Sequence, residues 1–430
     1  MNNREIAEYT LEKLTKLGAD AASVGVAHGS TDELNVDGGE FSLMRTLFDT
    51  NVGMKVIKDG KKGNISINQT DKQSIDEACA TVIASAEQSQ PDEAHRIAPF
   101  AGKEKFTLGV LEPDIAALYD RINEFLRTTK QDYPKIMMEQ FIAQYERENA
   151  LYMNTNGTEF EQESGEYSIS SMFSAHEGEK AGSFNGADAL FTDLKTPLID
   201  LAGHRRLFGE SERSLDPVSV DGKFVGTLIA TPPLMADFLY SICANFCSDG
   251  VIIDKTSPWI DKLGKTVASS SLTISSRPYA HEIVCGERFA EGFKSEDMDI
   301  IKDGVLKSFV LSDYGARKTG FERAKNHGAN FFVTPGSRSV EEMIAGVERG
   351  LIVNRFSGGE PSANGDFSGV AKNSFLVENG KIVGAVSETM INGNFAEMLG
   401  NVREISRETE GGGRRVLPWV AFGGITVSGK

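Results

Sequence analysis

The 430-residue chain is poor in cysteine, tryptophan and proline, with four, two and thirteen of each. Four unevenly spaced cysteines argue against the disulfide framework of a small secreted domain. Thirteen prolines and 44 glycines without a period exclude a collagen-like or proline-rich chain. No run approaches the ~18 apolar residues that span a bilayer. The polar start, Met1-Asn2-Asn3-Arg4-Glu5, has no apolar signal-peptide core. Basic residues are outnumbered, 45 against 62 acidic, for a formal charge of −17. The densest basic clusters are only pairs: Lys61-Lys62, Arg205-Arg206 and Arg414-Arg415. Such a chain is repelled by phosphate backbones, so direct nucleic-acid binding is not expected. The expected setting is cytoplasmic and reducing, without membrane contact.

The remaining composition, 40% apolar and 25% charged, is that of an ordinary globular protein. The length suggests two or three domains. The expected fold class is α+β, with N-terminal α/β two-layer units followed by a strand-rich C-terminal domain. Apolar residues at helical spacing over 4–17 predict a first helix. Strands are expected at Ala22–Ala27, Glu33–Val36, Phe41–Phe48, Val52–Ile57 and Lys62–Asn68, with a turn at Lys58-Asp59-Gly60. Asp71 caps a second helix, and this unit covers 1–90. Residues 91–112, with Pro91 and Pro99 and few periodic apolars, read as a linker. A central unit over 113–215 opens with a helix near Pro113–Thr128. Its strands are Lys135–Arg147, Leu151–Asn154, Glu159–Glu163, Tyr167–His176 and Lys180–Phe184, and Asn156-Gly157 marks a hairpin. A helix near Lys195–Phe208 closes it. Residues 216–430 form the strand-rich domain. There Thr231-Pro232-Pro233 starts a helix reaching about Cys247, with Thr231 as N-cap.

Catalytic motifs are scarce. Gly424-Ile425-Thr426-Val427-Ser428-Gly429-Lys430 resembles a phosphate loop but lacks the Ser/Thr after Lys. No G-x-S-x-G elbow is present. His176-Glu177 and His281-Glu282 begin a zinc-peptidase pattern, yet neither has a second His within two turns. Cys243, Cys247, Cys285 and His281 supply zinc donors if the fold gathers them; small buried cysteines on an apolar helix are otherwise core filling. The 232–247 helix is apolar nearly all round, through Leu234, Met235, Phe238, Leu239, Ile242 and Phe246. Asp237, Ser241 and Asn245 form a polar stripe on it, which either faces a cavity or finds partners in neighbouring backbone.

Several segments are similar to the TldD/PmbA family, the modulators of DNA gyrase read as metallopeptidases. They are Asn51–Ile57, Lys61-Lys62-Gly63, Asp299–Leu306, Tyr314–Gly320, Gly365-Asp366-Phe367-Ser368, Val377–Val383 and Ile391–Asn394, in family order along nearly the whole chain. The resemblance implies two branches. One carries an H-E-x-x-x-H zinc motif on the helix opening the C-terminal domain and a Cys ligand farther on. The other, PmbA/TldE-like, lacks both. Pro232–Cys247 holds no His and no Cys follows Cys285, so the chain resembles the second branch. The implied function is a non-catalytic subunit of a two-component zinc metalloprotease that cleaves unfolded peptides. No cofactor is then expected on this chain, and zinc is expected in a TldD-like partner. Asp237, Ser241 and Asn245 are the candidate chamber-lining residues. The expected partners are a TldD-like subunit, a second copy when the chain is alone, and unfolded peptide. The alternatives are a self-sufficient metallopeptidase with ligands among His281, Glu282, Cys243 and Cys247, or a gyrase-modulating binding protein.

Overall fold

The computed structural model describes residues 1–359, 361–387 and 389–429. The N-terminal half runs α1 (Asn3–Lys16), β1 (Ala21–Asp37), β2 (Glu40–Lys58), β3 (Lys61–Ile67), α2 (Lys72–Gln88), β4 (Lys103–Gly109), α3 (Ile115–Asp132), β5 (Ile136–Asn154), β6 (Glu159–Glu177), β7 (Lys180–Ala181), β8 (Asn185–Phe191) and α4 (His204–Arg213). Local signals start the helices. Asn2 and Glu5 form a capping box on α1, and the Asp71 carboxylate accepts from Ser74 N at the start of α2.

Four of these strands are longer than expected. The separate strands anticipated over 22–57 and 135–176 merge into β1, β2, β5 and β6, each of 17 to 19 residues. At ~3.3 Å per residue each spans roughly 60 Å. They form one sheet, ordered β3-β2-β1-β5-β6, with β4 and β8 sharing the outer edge of β6. The stretch expected as the linker, 91–112, therefore contains a sheet strand, β4, parallel to β6. The 1–90 and 113–215 units likewise share one sheet, because β1 pairs with β5 from Ser23↔Asn154 to Asp37↔Gln140.

The appearance of two units comes from the helices. Side chains alternate along β1, so Ala22, Val24, Val26, Leu34 and Val36 share a face. The first three pack with Ile6, Ile75 and Val82 of α1 and α2, and the last two with Leu118, Ile122 and Phe125 of α3. Between these two cores His28, Ser30 and Asp32 are only half-buried.

The C-terminal half begins with β9 (Lys223–Ala230), α5 (Pro232–Ile242) and α6 (Asp249–Ile253). Short strands follow: β10 (Ile274–Ser276), β11 (Phe289–Ala290), β12 (Phe293–Lys294), β13 (Met298–Lys302) and β14 (Val305–Leu306). After α7 (Asp313–Thr319), β15 (Phe331–Val333) and α8 (Val340–Ala345) come β16 (Arg349–Gly358), β17 (Asp366–Glu378), β18 (Lys381–Val386) and β19 (Thr389–Asn394). Then come α9 (Phe395–Gly400), β20 (Val402–Glu410) and β21 (Leu417–Ser428). The main sheet closes on itself: β16, β9, β21, β19 and β17 pair in turn, and β17 returns to β16. This half is strand-rich, as expected. The α5 helix lies against β16 and β21, with Phe238 packed among Phe356, Phe367 and Phe395. The other sheet face carries α8 over Ile229, Phe375 and Trp419.

The 91–100 segment is fastened to the C-terminal half rather than loose. Arg96 Nε donates to Asp313 Oδ2 at 2.6 Å, and Tyr314 Oη donates to Asp92 at 2.9 Å. The Asp92 carboxyl is held at about 2, by the Ala94 N–H first and by the Lys318 ammonium and Tyr314 hydroxyl after it. No helix among the described residues is long and apolar enough to cross a membrane.

Candidate functional site

The site is built around α5 and the turn that joins β20 to β21. The helix starts at Pro232, as the sequence indicates, but Thr231 does not cap it through its side chain. Its hydroxyl instead donates to Asn354 Oδ1 on β16 at 3.0 Å, tying the helix start to the sheet. After Ile242 the helix widens into a π-turn over Cys243–Cys247. Such turns are rare and recur at functional sites.

One face of the helix is accessible. Pro233, Asp237, Tyr240 and Ala244 are exposed, and Ser241 and Asn245 are half-buried. The helix is thus not enclosed all round, and the predicted stripe lies on its open side. Solvent reaches Asp237, yet enough protein surrounds its carboxyl for desolvation to raise its pKa, opposed by the charge of Arg415. Asn245 Nδ2 donates to the Ser241 carbonyl at 2.9 Å, within the widened turn. Replacing Ser241 by Ala should therefore change stability by less than ~0.5 kcal/mol. Asn245→Ala, which removes one local bond, should cost about 0.5–1 kcal/mol. Denaturant melts of both variants check this, and a loss above ~2 kcal/mol in either would place the stripe inside the core.

Beside the helix start lies a small pocket, open to solvent. Pro232 and Pro233 form one wall, Gly186–Asp188 of β8 another, and Gly411, Gly412 and Arg415 a third. The β20–β21 turn is docked without slack. Gly412 and Gly413 have φ of +55° and +72°, and a Cβ at either would meet the backbone oxygens of Asp188 and Leu190 at 2.4 and 2.3 Å. Arg206 of α4 reaches across the halves to Glu410, with Nη2 donating to Oε2 at 2.7 Å and Nε to Oε1 at 3.1 Å. Arg414 pairs with Asp188 at 3.6 Å. In the sequence Arg205-Arg206 and Arg414-Arg415 stand as isolated basic pairs, because their partners lie some 200 positions away.

The metal donors weighed from sequence do not assemble. Burial pushes the Cys243 thiol up to about 12 and Cys247 well above its ordinary value, so both stay protonated. Cys285 is pushed up to about 12, by burial first and by the neighbouring Glu166 second. His281 is exposed and pairs with Glu282 at 3.1 Å. His176 meets the Ser174 hydroxyl at 2.9 Å. Among the described residues no three His, Cys, Asp or Glu side chains are placed to hold a metal. Donors scattered in this way do not fit a zinc ion, which needs three or four converging ligands.

Comparison with known proteins adds a family context. Residues 223–429 match the PmbA/TldA metallopeptidase C-terminal domain, and residues 22–86 match PmbA/TldA metallopeptidase domain 1. Metalloprotease PmbA of Escherichia coli O157:H7 is 26% identical over 430 residues, spanning 94% of this chain and 92% of that protein. The crystal structure of TldE from Thermococcus kodakarensis has the same fold, with a TM-score of 0.87 at 20% identity over 98% of this chain and 99% of that one. A Bacteroides thetaiotaomicron structure, described as a candidate modulator of DNA gyrase, aligns with a TM-score of 0.85 at 23% identity over 100% and 99%.

Proposed function

The chain belongs to the PmbA/TldD family of metallopeptidases, and within it we propose that it acts as the PmbA/TldE-like subunit of a two-component zinc peptidase, holding unfolded peptide for a TldD-like partner that carries the metal. The side chains of α5 and its π-turn carry this reading. They offer Asp237, Ser241 and Asn245 on an accessible face, with no imidazole between Pro232 and Cys247. Replacing Ser241 by Glu and Asn245 by His would not create a peptidase, because the remaining ligand and the groups that orient it are also missing.

The surface of β2 supports a subunit role. Its half from Glu40 to Asn51 pairs with β1 on one side only; β3 begins its pairing at Val52. Phe41, Leu43, Met44, Leu47 and Phe48 are exposed there, Phe48 by 81% and Met44 by 67%. A long apolar edge without Lys or Pro is a pairing surface. When the chain is alone, a second copy fits it: antiparallel pairing about Thr46 sets Met44 opposite Phe48 of the copy, twice.

A reconstitution test addresses both parts. The purified chain should run as a dimer, hold no stoichiometric zinc and cleave nothing. Adding a TldD-like chain with H-E-x-x-x-H should produce cleavage of an unfolded peptide. The double variant Met44→Lys, Phe48→Glu should be monomeric. Peptide cleavage by the chain alone, with about one zinc bound, would defeat the proposal.

A further inference from the structure

The pocket beside the start of α5 contains a cation without a partner among the described residues. Arg415 is half-buried and lines the pocket, and its guanidinium makes no hydrogen bond or ion pair with any described residue. Its neighbours differ. Arg206 bonds to Glu210 and Glu410, and Arg414 forms a looser ion pair with Asp188. The two acids that line the pocket, Asp188 and Glu410, are therefore already engaged. The remaining facing acid, Asp237, lies beyond ion-pair distance from Arg415, though its carboxyl feels the charge.

The backbone that carries the arginine is held in place. Arg415 N donates to the Gly411 carbonyl at 3.2 Å, closing a tight turn. The glycines of that turn are locked against the backbone of Asp188 and Leu190. A guanidinium carried by an anchored turn at the wall of a partly apolar pocket is able to take a carboxylate through two parallel N–H donors. Leu207, Leu417 and the two prolines supply apolar surface around it. A pocket this small and open admits the end or a side chain of an extended peptide and no folded surface.

We propose that Arg415 and this pocket form a carboxylate-binding subsite for peptide, so that the chain selects peptides by an acidic group near the bound end. The inference rests on the peptide-binding reading above and adds a selectivity to it. The carboxylate has two sources, a free C-terminus or an Asp/Glu side chain.

Fluorescence anisotropy with three N-terminally labelled ten-residue peptides on the full chain separates them. The first has no Asp or Glu and a free C-terminus, the second is its C-terminal amide, and the third is the amide with one Glu at the last position. The free acid, the Glu-bearing amide or both should bind at least tenfold more tightly than the plain amide. Preference for the free acid alone assigns the C-terminus, and equal gain from Glu assigns any carboxylate. Arg415→Gln should reduce the preferred peptide to the level of the plain amide, and Arg415→Lys should restore part of the difference. The comparison among peptides on the unmodified chain needs no variant to fold. Equal binding of all three overturns this inference alone. No binding of any overturns it together with the peptide-holding role.

Discussion

Replacing Arg206 by Met is expected to cost about 3 kcal/mol of stability and to loosen the two halves of the chain from each other. The Arg206 guanidinium lies at the junction, with 23% of its side chain exposed. It serves Glu210 on its own helix at 3.0 Å and Glu410 on β20 at 2.7 Å, and it stacks over Trp419 with 5.3 Å to the ring centre. Burial already raises the Glu210 carboxyl, with the Arg206 charge as the largest opposing influence. Removing the cation strands two poorly solvated carboxylates, and breaking such a pair costs about 3–5 kcal/mol. The lower end applies because water reaches part of the cluster. The midpoint of denaturant unfolding at neutral pH measures the loss. The triple change Arg206→Met, Glu210→Gln, Glu410→Leu should recover most of it, since it removes both stranded charges. A loss below ~1 kcal/mol for the single change would mean that the halves are held by their apolar contacts alone.

The cluster also shows what kind of information the sequence carried. Signals written in a few consecutive residues were readable. Asp71 caps α2, Asn156-Gly157 turns β5 into β6, Lys58-Asp59-Gly60 turns β2 into β3, and Pro232 starts α5. The strand lengths were not readable. Period-two alternation fades at His28–Asp32 and at Arg45–Thr50, because neither face of the sheet is covered there, and the long strands read as pairs of short ones. The α9 helix stops at Gly400 and gives way to β20 at Val402, because β21 supplies a strand partner. The helix expected over 195–208 starts nine residues later, at His204, after a left-handed Gly203.

The site divides in the same way. The stripe Asp237, Ser241, Asn245 was legible from helical spacing, and the structure places it on an accessible face. Arg415 carried no local mark beyond a neighbouring Arg. Its significance comes from contacts that close over long separations: a turn at 411–415 docked on β8, and a helix start at 232 facing it. A single sequence contains no term for which arginine is left without an acid. That is a property of the packed arrangement, and it becomes visible only when Arg206 and Arg414 are seen to pair with the nearby carboxylates.

His204, the first residue of α4, gives the second large effect, in pH. The ring is fully buried, edge-on to Phe125 with 5.2 Å between ring centres and beside Phe208. The Leu201 carbonyl, 2.7 Å from Nδ1, can only accept, so the proton of the neutral ring sits on Nδ1. Nε2 then accepts from the Ser171 hydroxyl at 2.9 Å. Burial lowers the His204 pKa from 6.5 to about 4, with the Leu201 bond a partial offset. The sign follows from proton counting. Between about 4 and 6.5 the unfolded chain binds a proton at this position and the folded chain does not, so stability rises with pH across the window. The contribution, about 3 kcal/mol, is fully present above 6.5 and is lost as pH falls to about 4. Other groups titrate nearby. His95 is lowered by burial and acts in the same direction, whereas His327 is raised by Glu287 and acts in the opposite one. Comparison with His204→Gln isolates the effect. The variant should be less stable at pH 8 by about 1–2 kcal/mol, from a poorer fit to Leu201 and Ser171. Its stability should then fall less steeply than that of the parent as pH is lowered, so that the two curves converge or cross near pH 5. Parallel curves from pH 8 to pH 4 would mean that His204 accepts its proton inside the folded protein at an ordinary pH, and that the α3–α4 core opens to admit water.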